Sequence, residues 1–319
     1  MTDTTEHNDL KPISPSGVRY IKLGKGGEHE RYCLENGIIR LGFNFVPHEP
    51  ALAGDLEEMR RFAMKRRGTL QAASNDIKQI NDFYHLDAET LWITFIDDHL
   101  YWCFCDKEVT WVPPADDPKD EGYRFRRVIG DWHRDDICGK PLKQAWLSGN
   151  LTQVAAYQGS LCSVQAPDYL IRKINHLDLP EVSAAKASRA DLLVHIQALM
   201  TLLTWKDFEL LVDLVFSGSG WRRTSEVGGT QKTIDIGLEL PSTGETAFVQ
   251  VKSKTSQRQL DDYLGRFDGR DEQRMFYVYH TGPAALATAN QNCTLIGPAR
   301  LSEMILQAGL FDWLLKKVQ

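Results

Sequence analysis

Helical spacing of apolar residues is clearest in the segment 204–217, which reads TWKDFELLVDLVFS. Apolar side chains recur there every three or four residues, which predicts an amphipathic helix that ends near Ser217. Thr204 stands where an N-cap is needed, because its hydroxyl can accept a hydrogen bond from the first turn. The apolar stripe of this helix consists of Phe208, Leu211, Val212 and Val215.

Strict alternation of apolar and polar residues follows in the same half of the chain. The segments TIDIGLEL and TAFVQVK alternate with a period of two, and the turn sequence PSTGE separates them, which predicts two joined strands. A third strand-like run is RMFYVYH. The predicted elements are strands at 233–240, 246–252 and 274–280 and helices at 256–267 and 300–317.

The first half mixes strands with helices and is rich in aromatic residues. The segments TLWITFI and LYWCFC flank the turn DDH, which predicts a β-hairpin. Five of the eight tryptophans lie within one stretch of 55 residues here. Beside the hairpin, we predict strands at 18–23, 37–43, 108–112 and 122–129 and helices at 53–66 and 74–84.

The length of 319 residues suits two domains of roughly 150 residues each better than one core. A polar start with two prolines predicts a flexible leader at 1–17. One proline and several small residues without a sustained apolar period predict a linker at 179–190. We therefore predict a first domain at 18–178 and a second domain at 191–319.

Composition narrows the class of protein. Hydrophobic residues make up 42% of the chain and charged residues 25%, as in typical soluble globular proteins. The chain has no run of about 18 apolar residues and starts with polar and acidic residues, so we expect neither a membrane span nor a signal peptide. Six cysteines without a disulfide or metal spacing favour a reducing compartment, and we expect a cytoplasmic protein.

The net charge of −6 argues against a protein that coats nucleic acid by bulk charge. Most of the negative balance lies in the first 180 residues, which hold 22 Lys and Arg against 27 Asp and Glu. The second half is close to neutral, which is compatible with local binding of phosphates by a few basic side chains.

Polar residues that suit phosphodiester chemistry occur in the two joined strands of the second half. Alternation places Asp235 opposite the apolar face of its strand, and Gln250 and Lys252 together on the matching face of the next strand. Oxygen atoms of Asp235 and Gln250 could bind Mg²⁺, and Lys252 could orient an attacking water and stabilise charge on a phosphate. Glu209 on the preceding helix could reach the same place. Such residues also occur by chance in many sheets, so a structural role stays open.

The order of these features resembles the catalytic domain of the Mrr-like restriction endonucleases, within the PD-(D/E)xK nuclease superfamily. The resemblance covers about 130 residues, roughly 190–319. The residues that carry it are WKDFELLVDLVF, SGW at 219–221, IDI at 234–236 and VQVK at 249–252.

This resemblance implies an α/β fold with an α-β-β-β-α-β core and a mixed sheet. It also implies Mg²⁺-dependent cleavage of DNA, with Mn²⁺ as a substitute. Asp235 would be a metal ligand, Gln250 the second site residue and metal ligand, Lys252 the catalytic lysine and Glu209 the helix-borne acid. Glutamine at position 250 is typical of the Mrr-like group, whereas the wider superfamily has an acid there.

Basic residues near this site suit contacts with DNA phosphates. Arg222 and Arg223 follow Trp221, and Lys254 and Arg258 flank the lysine motif. A solvated surface is the alternative role for each of them.

The aromatic residues of the first half suggest a recognition function. Aromatic side chains can hold a base that is rotated out of the duplex, and polar groups can recognise its edge. The segment YRFRR alternates aromatic and basic residues, which places Arg124 and Arg126 on one strand face as candidate DNA contacts. A place in the β core is the alternative for each tryptophan. The candidates for a modified-base pocket are Trp92, Tyr101, Trp102, Trp111 and Trp132.

Four segments of the first half resemble EVE/PUA-like domains: YIKLGKGGEHE, CLENGIIRLGF, WITFIDDHLYWC and LSGNLTQVAAYQGSLCSV. This resemblance implies an α+β domain with a β-barrel-like portion that reads modified bases. GKGG at 24–27 suggests a loop that could hold a phosphate, but it lacks the spacing and the Ser or Thr of a nucleotide-binding motif. We therefore expect no NTP binding.

These patterns predict an Mg²⁺-dependent endonuclease that cleaves double-stranded DNA as a homodimer. Its expected role is the restriction of foreign DNA, including DNA with modified bases. Two alternatives stay open: a DNA-binding module whose nuclease fold has lost activity, and a nuclease that acts on branched or otherwise structured DNA.

Overall fold

The computed structural model describes residues 11–114, 122–224, 236–267 and 272–319. The chain divides between Asp178 and Leu179 into two compact units, which we call the first and the second unit. The mixed α/β class predicted from the sequence is confirmed in both units.

The first unit contains a mixed sheet with helices on both faces. Its described strands are β1 (Gly17–Ile21), β2 (Ile38–Leu41), β3 (Thr90–Ile96), β4 (His99–Cys105), β5 (Thr110–Val112), β6 (Tyr123–His133) and β7 (Leu161–Ser163). Its described helices are α1 (Glu30–Glu35), α2 (His48–Ala53), α3 (Leu56–Arg67), α4 (Leu70–His85), α5 (Gly149–Thr152) and α6 (Pro167–Ile174).

The described strands of this sheet lie in the order β2-β6-β4-β3-β1-β7, and β5 pairs with β6. Strands β1 and β3 are parallel, and the other pairs are antiparallel. Along β1, Ile21 packs on the side of α3 and α4, whereas Val18 and Tyr20 pack on the side of α5 and α6. Because both faces are buried, the central strands are apolar almost throughout.

The predicted hairpin is confirmed as β3 and β4. Its turn consists of Asp97 and Asp98, whose φ angles are +46° and +61°. A two-residue turn with both φ angles positive matches the twist of the strands, and aspartate tolerates this conformation better than most residues.

The part of the predicted leader that the structure describes is attached to the first unit. The Ile13 amide donates a hydrogen bond of 2.8 Å to Asn175 Oδ1, and the Ile13 carbonyl accepts one of 2.8 Å from Asn175 Nδ2. The prediction of a loose leader is therefore wrong for 11–16, and residues 1–10 lie outside the described residues.

The second unit also has a mixed sheet between layers of helices. Its described strands are β8 (Arg222–Arg223), β9 (Ile236–Leu240), β10 (Glu245–Lys254), β11 (Arg274–Thr281) and β12 (Cys293–Ile296). Its described helices are α7 (Pro180–Met200), α8 (Trp205–Gly218), α9 (Gln257–Phe267), α10 (Pro298–Gln307) and α11 (Phe311–Val318).

The described strands of this second sheet lie in the order β12-β11-β10-β9-β8. Strand β9 is antiparallel to β8 and β10, whereas β10, β11 and β12 are parallel. Helices α7, α8, α10 and α11 pack on one face, and α9 packs on the other. From α8 to β11 the described elements follow the order α-β-β-β-α-β.

Two predictions about the second half are wrong. The predicted linker belongs to α7, which begins at Pro180 and packs Ile196 and Met200 into the core near its end. The predicted helix at 300–317 is two helices, because Gly309 has a φ of +68° that a right-handed helix cannot continue.

Among the residues that the structure describes, none of the helices combines the length and the apolar character needed to cross a membrane.

The predicted N-cap of α8 is confirmed, since Thr204 Oγ1 accepts a hydrogen bond of 3.2 Å from the Asp207 amide. Replacing Thr204 by alanine is expected to lower the free energy of unfolding of the second unit by about 1 kcal/mol, because this amide loses its acceptor. Urea denaturation measures the change. Ser217→Ala, at an exposed position in the same helix, serves as the control and should alter stability by less than about 0.5 kcal/mol. Equal stability of both variants would contradict the role of this cap.

Candidate active site

Strand β10 lies at the centre of the second sheet and carries Gln250 and Lys252, which we call the Gln-x-Lys pair. Val249 and Val251 pack into the layer that contains α8, whereas Phe248 packs into the layer that contains α9. Because side chains alternate along a strand, Gln250 and Lys252 share the α9 face with Phe248. The structure therefore places the two predicted site residues on one face.

The two side chains differ in exposure. Gln250 is 1% exposed and lies opposite Tyr277 of β11, which is also buried. Lys252 is half-buried, and its Nζ lies 4.9 Å from the centroid of the Tyr263 ring on α9. An ammonium at this distance over an aromatic ring is attracted by the ring, so α9 helps to orient Lys252.

Further positive charge lies where β10 ends and α9 begins. Lys254 is the last residue of β10, Arg258 lies in the first turn of α9, and both are exposed. The N-terminus of a helix adds partial positive charge. Gln257 holds this helix end in place through hydrogen bonds of 2.9 and 3.2 Å with the backbone of Ala287. The end of β10 is thus a basic surface beside Lys252.

Asp235 lies outside the described residues, as do the first positions of the strand predicted at 233–240. Its neighbour in the chain, Ile236, begins β9 and lies opposite Val249, the residue before Gln250.

Glu209 lies in a different layer from Gln250 and Lys252, because α8 packs on the opposite face of β10. Its carboxylate lies 3.7 Å from the Arg223 guanidinium, which also lies 3.3 Å from Asp213. The expectation that Glu209 lies close to Gln250 and Lys252 does not agree with the position of α8 on the opposite face of β10.

The two arginines predicted to contact DNA have different surroundings. Arg223 is mostly buried and forms ion pairs with α8, and its role as a phosphate contact stays a prediction. Arg222 is exposed on β8, opposite Glu239 of β9.

One group of potential metal ligands occurs in the described part of the first unit. The ligand atoms of Asp136, Cys138 and His176 lie within 4.8 Å of one another. The Asp136 carboxylate already accepts hydrogen bonds from the amides of Cys138 and Lys140 and contacts His176 Nδ1 at 2.6 Å. Thiol and imidazole ligands do not suit Mg²⁺, so this group is not the predicted magnesium site.

Two of the tryptophans proposed for a modified-base pocket, Trp92 and Trp102, are core residues. Trp92 is fully buried on the α4 side of the first sheet, and its ring packs 6.0 Å from that of Phe83. Trp102 is 2% exposed on the opposite face and donates a hydrogen bond of 2.9 Å to the Asp135 carbonyl. These two residues therefore cannot line one pocket, and their prediction as base-binding residues is wrong.

The remaining aromatic candidates are half-buried. Tyr101 and Trp132 pack against the same core as Trp92. The Trp111 ring lies 5.2 Å from the guanidinium carbon of Arg124.

Arg124 and Arg126 share a strand face, as the alternation predicts, but this face is the interior of the first unit. Both are fully buried, and burial lowers the pKa of each guanidinium from its usual value. Arg124 donates to the Val46 carbonyl. Arg126 donates to backbone carbonyls at Phe83, Asp87, Cys105 and Asp106. The prediction that they contact DNA phosphates is wrong, because both are enclosed by protein.

A polar cavity of about 650 Å³ in the first unit does not appear among the predicted sites. Its basic lining residues come from the segment after β1 and from β2. The GKGG segment at 24–27 indicates part of this cavity in the sequence. Arg40 comes from a different segment and reaches the cavity only through the fold. The charged and imidazole side chains that line it are Lys22, Lys25, Glu28, His29 and Arg40.

No protein-family model, no curated protein and no solved structure matches this chain.

Proposed function

We propose that the protein is an Mg²⁺-dependent endonuclease that hydrolyses phosphodiester bonds in double-stranded DNA, with a Mrr-like catalytic unit. The observation that carries this proposal is the basic end of β10, where half-buried Lys252 shares a face with buried Gln250. The α-β-β-β-α-β order around the mixed sheet supports the same class of nuclease. The first unit is proposed to select the DNA, including DNA with modified bases.

The chemistry of the side chains fits a magnesium ion at this place. Gln250 carries an amide oxygen on the α9 face of β10, and Asp235 precedes β9 and carries a carboxylate. Oxygen ligands of these two kinds are those that Mg²⁺ prefers. When bound, the ion would lower the pKa of a coordinated water and offset negative charge on the phosphate.

Lys252 is proposed to act directly on the phosphate. Its ammonium would stabilise the negative charge that grows on the phosphate oxygens as the water attacks, and it would orient that water. Tyr263 restricts where the ammonium can lie, so less conformational freedom is lost when DNA binds.

Lys254, Arg258 and the N-terminus of α9 are proposed to bind the phosphates that flank the cleaved bond. These exposed groups can neutralise phosphates without carrying sequence information. Each chain is proposed to contribute one such site, so two copies would be needed to cut both strands.

The test is cleavage of plasmid DNA, with and without modified cytosine or adenine, by the purified protein in the presence of Mg²⁺. We expect at least one plasmid to be cut, and EDTA to stop the reaction. Cleavage of branched DNA alone would favour the structure-specific alternative. Binding of DNA without cleavage of any substrate would overturn the proposal and favour a non-catalytic DNA-binding module.

The metal ligand is tested separately by titration calorimetry with Mn²⁺. Asp235→Ala is expected to abolish Mn²⁺ binding, because it removes a charged ligand. Glu239→Ala, in β9, is the matched control and should bind Mn²⁺ as the unaltered protein does. Unchanged Mn²⁺ binding by both variants would exclude a metal site at Asp235.

A further inference from the structure

Positive charge lines the polar cavity of the first unit, and the described residues form no ion pair with its lysines or its arginine. In the described part of the chain, no carboxylate lies within ion-pair distance of Lys22, Lys25 or Arg40. By contrast, Arg19 and Arg67 in the same unit pair with Asp82 and Asp76. Among the described residues, three cations without a paired carboxylate thus line one cavity, in a chain with a net charge of −6, which indicates a site for an anion.

The contacts of these side chains hold them at the cavity. The Arg40 guanidinium stacks on Tyr123, with 3.9 Å between its carbon and the ring centroid. Lys22 Nζ donates a hydrogen bond of 2.6 Å to the Tyr157 carbonyl, which is a neutral acceptor. Burial lowers the pKa of His29, and the nearby Arg40 charge lowers it further, in agreement with a positive potential in the cavity.

The carboxylate of Glu28 offsets only part of this charge, because Lys22, Lys25 and Arg40 line the same cavity. Glu28 accepts a hydrogen bond of 3.0 Å from the Lys25 amide and lies 3.7 Å from His29 Nε2. Its carboxylate therefore also stabilises the loop that carries Lys25. Gly24 in that loop has a φ of +90°, and a Cβ there would lie 2.7 Å from the Glu28 side chain, so this tight turn requires glycine.

A second cavity adjoins the first, since Asn44 lines both of them. It has a volume of about 510 Å³ and is lined also by Phe43, Phe45, Arg66 and Arg67. Phe43 has a φ of +63°, which costs energy for an aromatic residue and occurs mainly where the surroundings enforce it. A basic cavity beside one with two aromatic rings fits the two parts of a nucleotide, the phosphate and the base.

We propose that these two adjoining cavities bind a nucleoside phosphate, with the phosphate beside Lys22, Lys25 and Arg40 and the base beside Phe43 and Phe45. The same chemistry is present in a free mononucleotide and in a nucleic acid strand. In the second case the inference rests on the proposed function and assigns the DNA contact of the first unit to these cavities rather than to Trp92 and Trp102.

The test is binding of two probes by the full-length protein in EDTA, which prevents cleavage. The first probe is 5′-dCMP, followed by titration calorimetry, and the second is a fluorescent single strand of twelve nucleotides, followed by anisotropy. We expect the double variant Lys25→Gln/Arg40→Gln to bind at least one probe about tenfold or more weakly, because charged hydrogen bonds to the phosphate are lost. Lys107→Gln, at an exposed position in the same unit, is the matched control and should bind as the unaltered protein does.

The outcomes separate the two sources of the nucleotide. Weaker binding of the strand by the double variant, without saturable binding of dCMP, supports a nucleic acid ligand. Weaker binding of dCMP by the double variant supports a free nucleotide, provided that addition of the strand does not displace dCMP from the unaltered protein. If the double variant binds both probes as the control does, the proposal is wrong. The single variant Lys25→Gln changes an exposed side chain, so weaker binding by this variant is not caused by misfolding.

Failure of this proposal can be distinguished from failure of the proposed nuclease function. Lys25→Gln/Arg40→Gln leaves Gln250 and Lys252 unaltered, because the two changed residues belong to the first unit. Unchanged binding of both probes by this variant, together with cleavage of DNA by the unaltered protein, would contradict the cavity site alone. Conversely, a protein that binds dCMP but cuts no DNA would support the cavity site and contradict the nuclease proposal.

Discussion

Replacing Lys252 by methionine is expected to slow DNA cleavage by about 10²–10³-fold in single-turnover experiments with saturating Mg²⁺. Methionine keeps an unbranched stem against α9 but removes the ammonium that would stabilise charge on the phosphate. The loss of attraction to the Tyr263 ring costs about 0.5–1 kcal/mol of stability, so the variant should fold. The rate of plasmid linearisation, with the thermal midpoint measured in parallel, checks this result.

Lys254→Met is the matched control for this experiment, because Lys254 is exposed at the end of the same strand. Its loss should weaken DNA binding and reduce the dependence of binding on salt, since one phosphate contact disappears. The cleavage rate at saturating protein should fall by less than about tenfold. If Lys252→Met cleaves DNA as fast as Lys254→Met, Lys252 does not have the proposed role.

The sequence predicts best those elements that are anchored in a core along their whole length. The predicted helix at 204–217 corresponds to α8, and the strand predicted at 246–252 lies within β10. Helix α7 was missed because its N-terminal half is exposed and only its C-terminal part packs into the core, so no continuous stripe of apolar residues marks it. Its alanine-rich composition favours a helix without specifying a buried face.

Alternation along β6 correctly predicts which side chains share a face of the strand, but the expectation that the arginine face is exposed is wrong. Arg124 and Arg126 lie together on one face, as predicted, while Tyr123 and Phe125 are half-buried on the other. The general preference for apolar interiors would place the arginines outside. They lie inside because carbonyl groups from distant segments accept their hydrogen bonds, and local sequence patterns do not show where those carbonyls are.

The candidate site could be predicted only where it depends on a single strand. Gln250 and Lys252 share a face because they are two residues apart in β10. The ion pair between Glu209 and Arg223 depends on how α8 packs on β8, a contact between separate elements. The cavity of the first unit is assembled from four separate segments of the chain, which include Lys25, Arg40, Gly122 and Ser160. Spacing along the sequence does not reveal such a site.

Replacing Arg126 by leucine is expected to lower the free energy of unfolding of the first unit by about 3 kcal/mol. Leucine would avoid the cost of burying a charged group, but it would leave the carbonyls at Phe83, Asp87, Cys105 and Asp106 without this donor. The bonds to Phe83 and Cys105 are buried, and a buried carbonyl that loses its donor costs about 1–3 kcal/mol, so the cost of the change outweighs the gain. Trp92, whose ring lies 5.3 Å from the Arg126 guanidinium, can report unfolding by its fluorescence in urea.

Arg127→Leu is the matched control, because Arg127 is the next residue of β6 and is exposed on the opposite face. Its replacement should change stability by less than about 0.5 kcal/mol. If Arg126 instead bound DNA, as the basic and aromatic pattern of the segment suggests, its loss would weaken DNA binding and leave the unfolding transition unchanged. A large loss of stability in Arg126→Leu alone would therefore identify the guanidinium as an internal cross-link between β6, the end of α4 and the segment after β4.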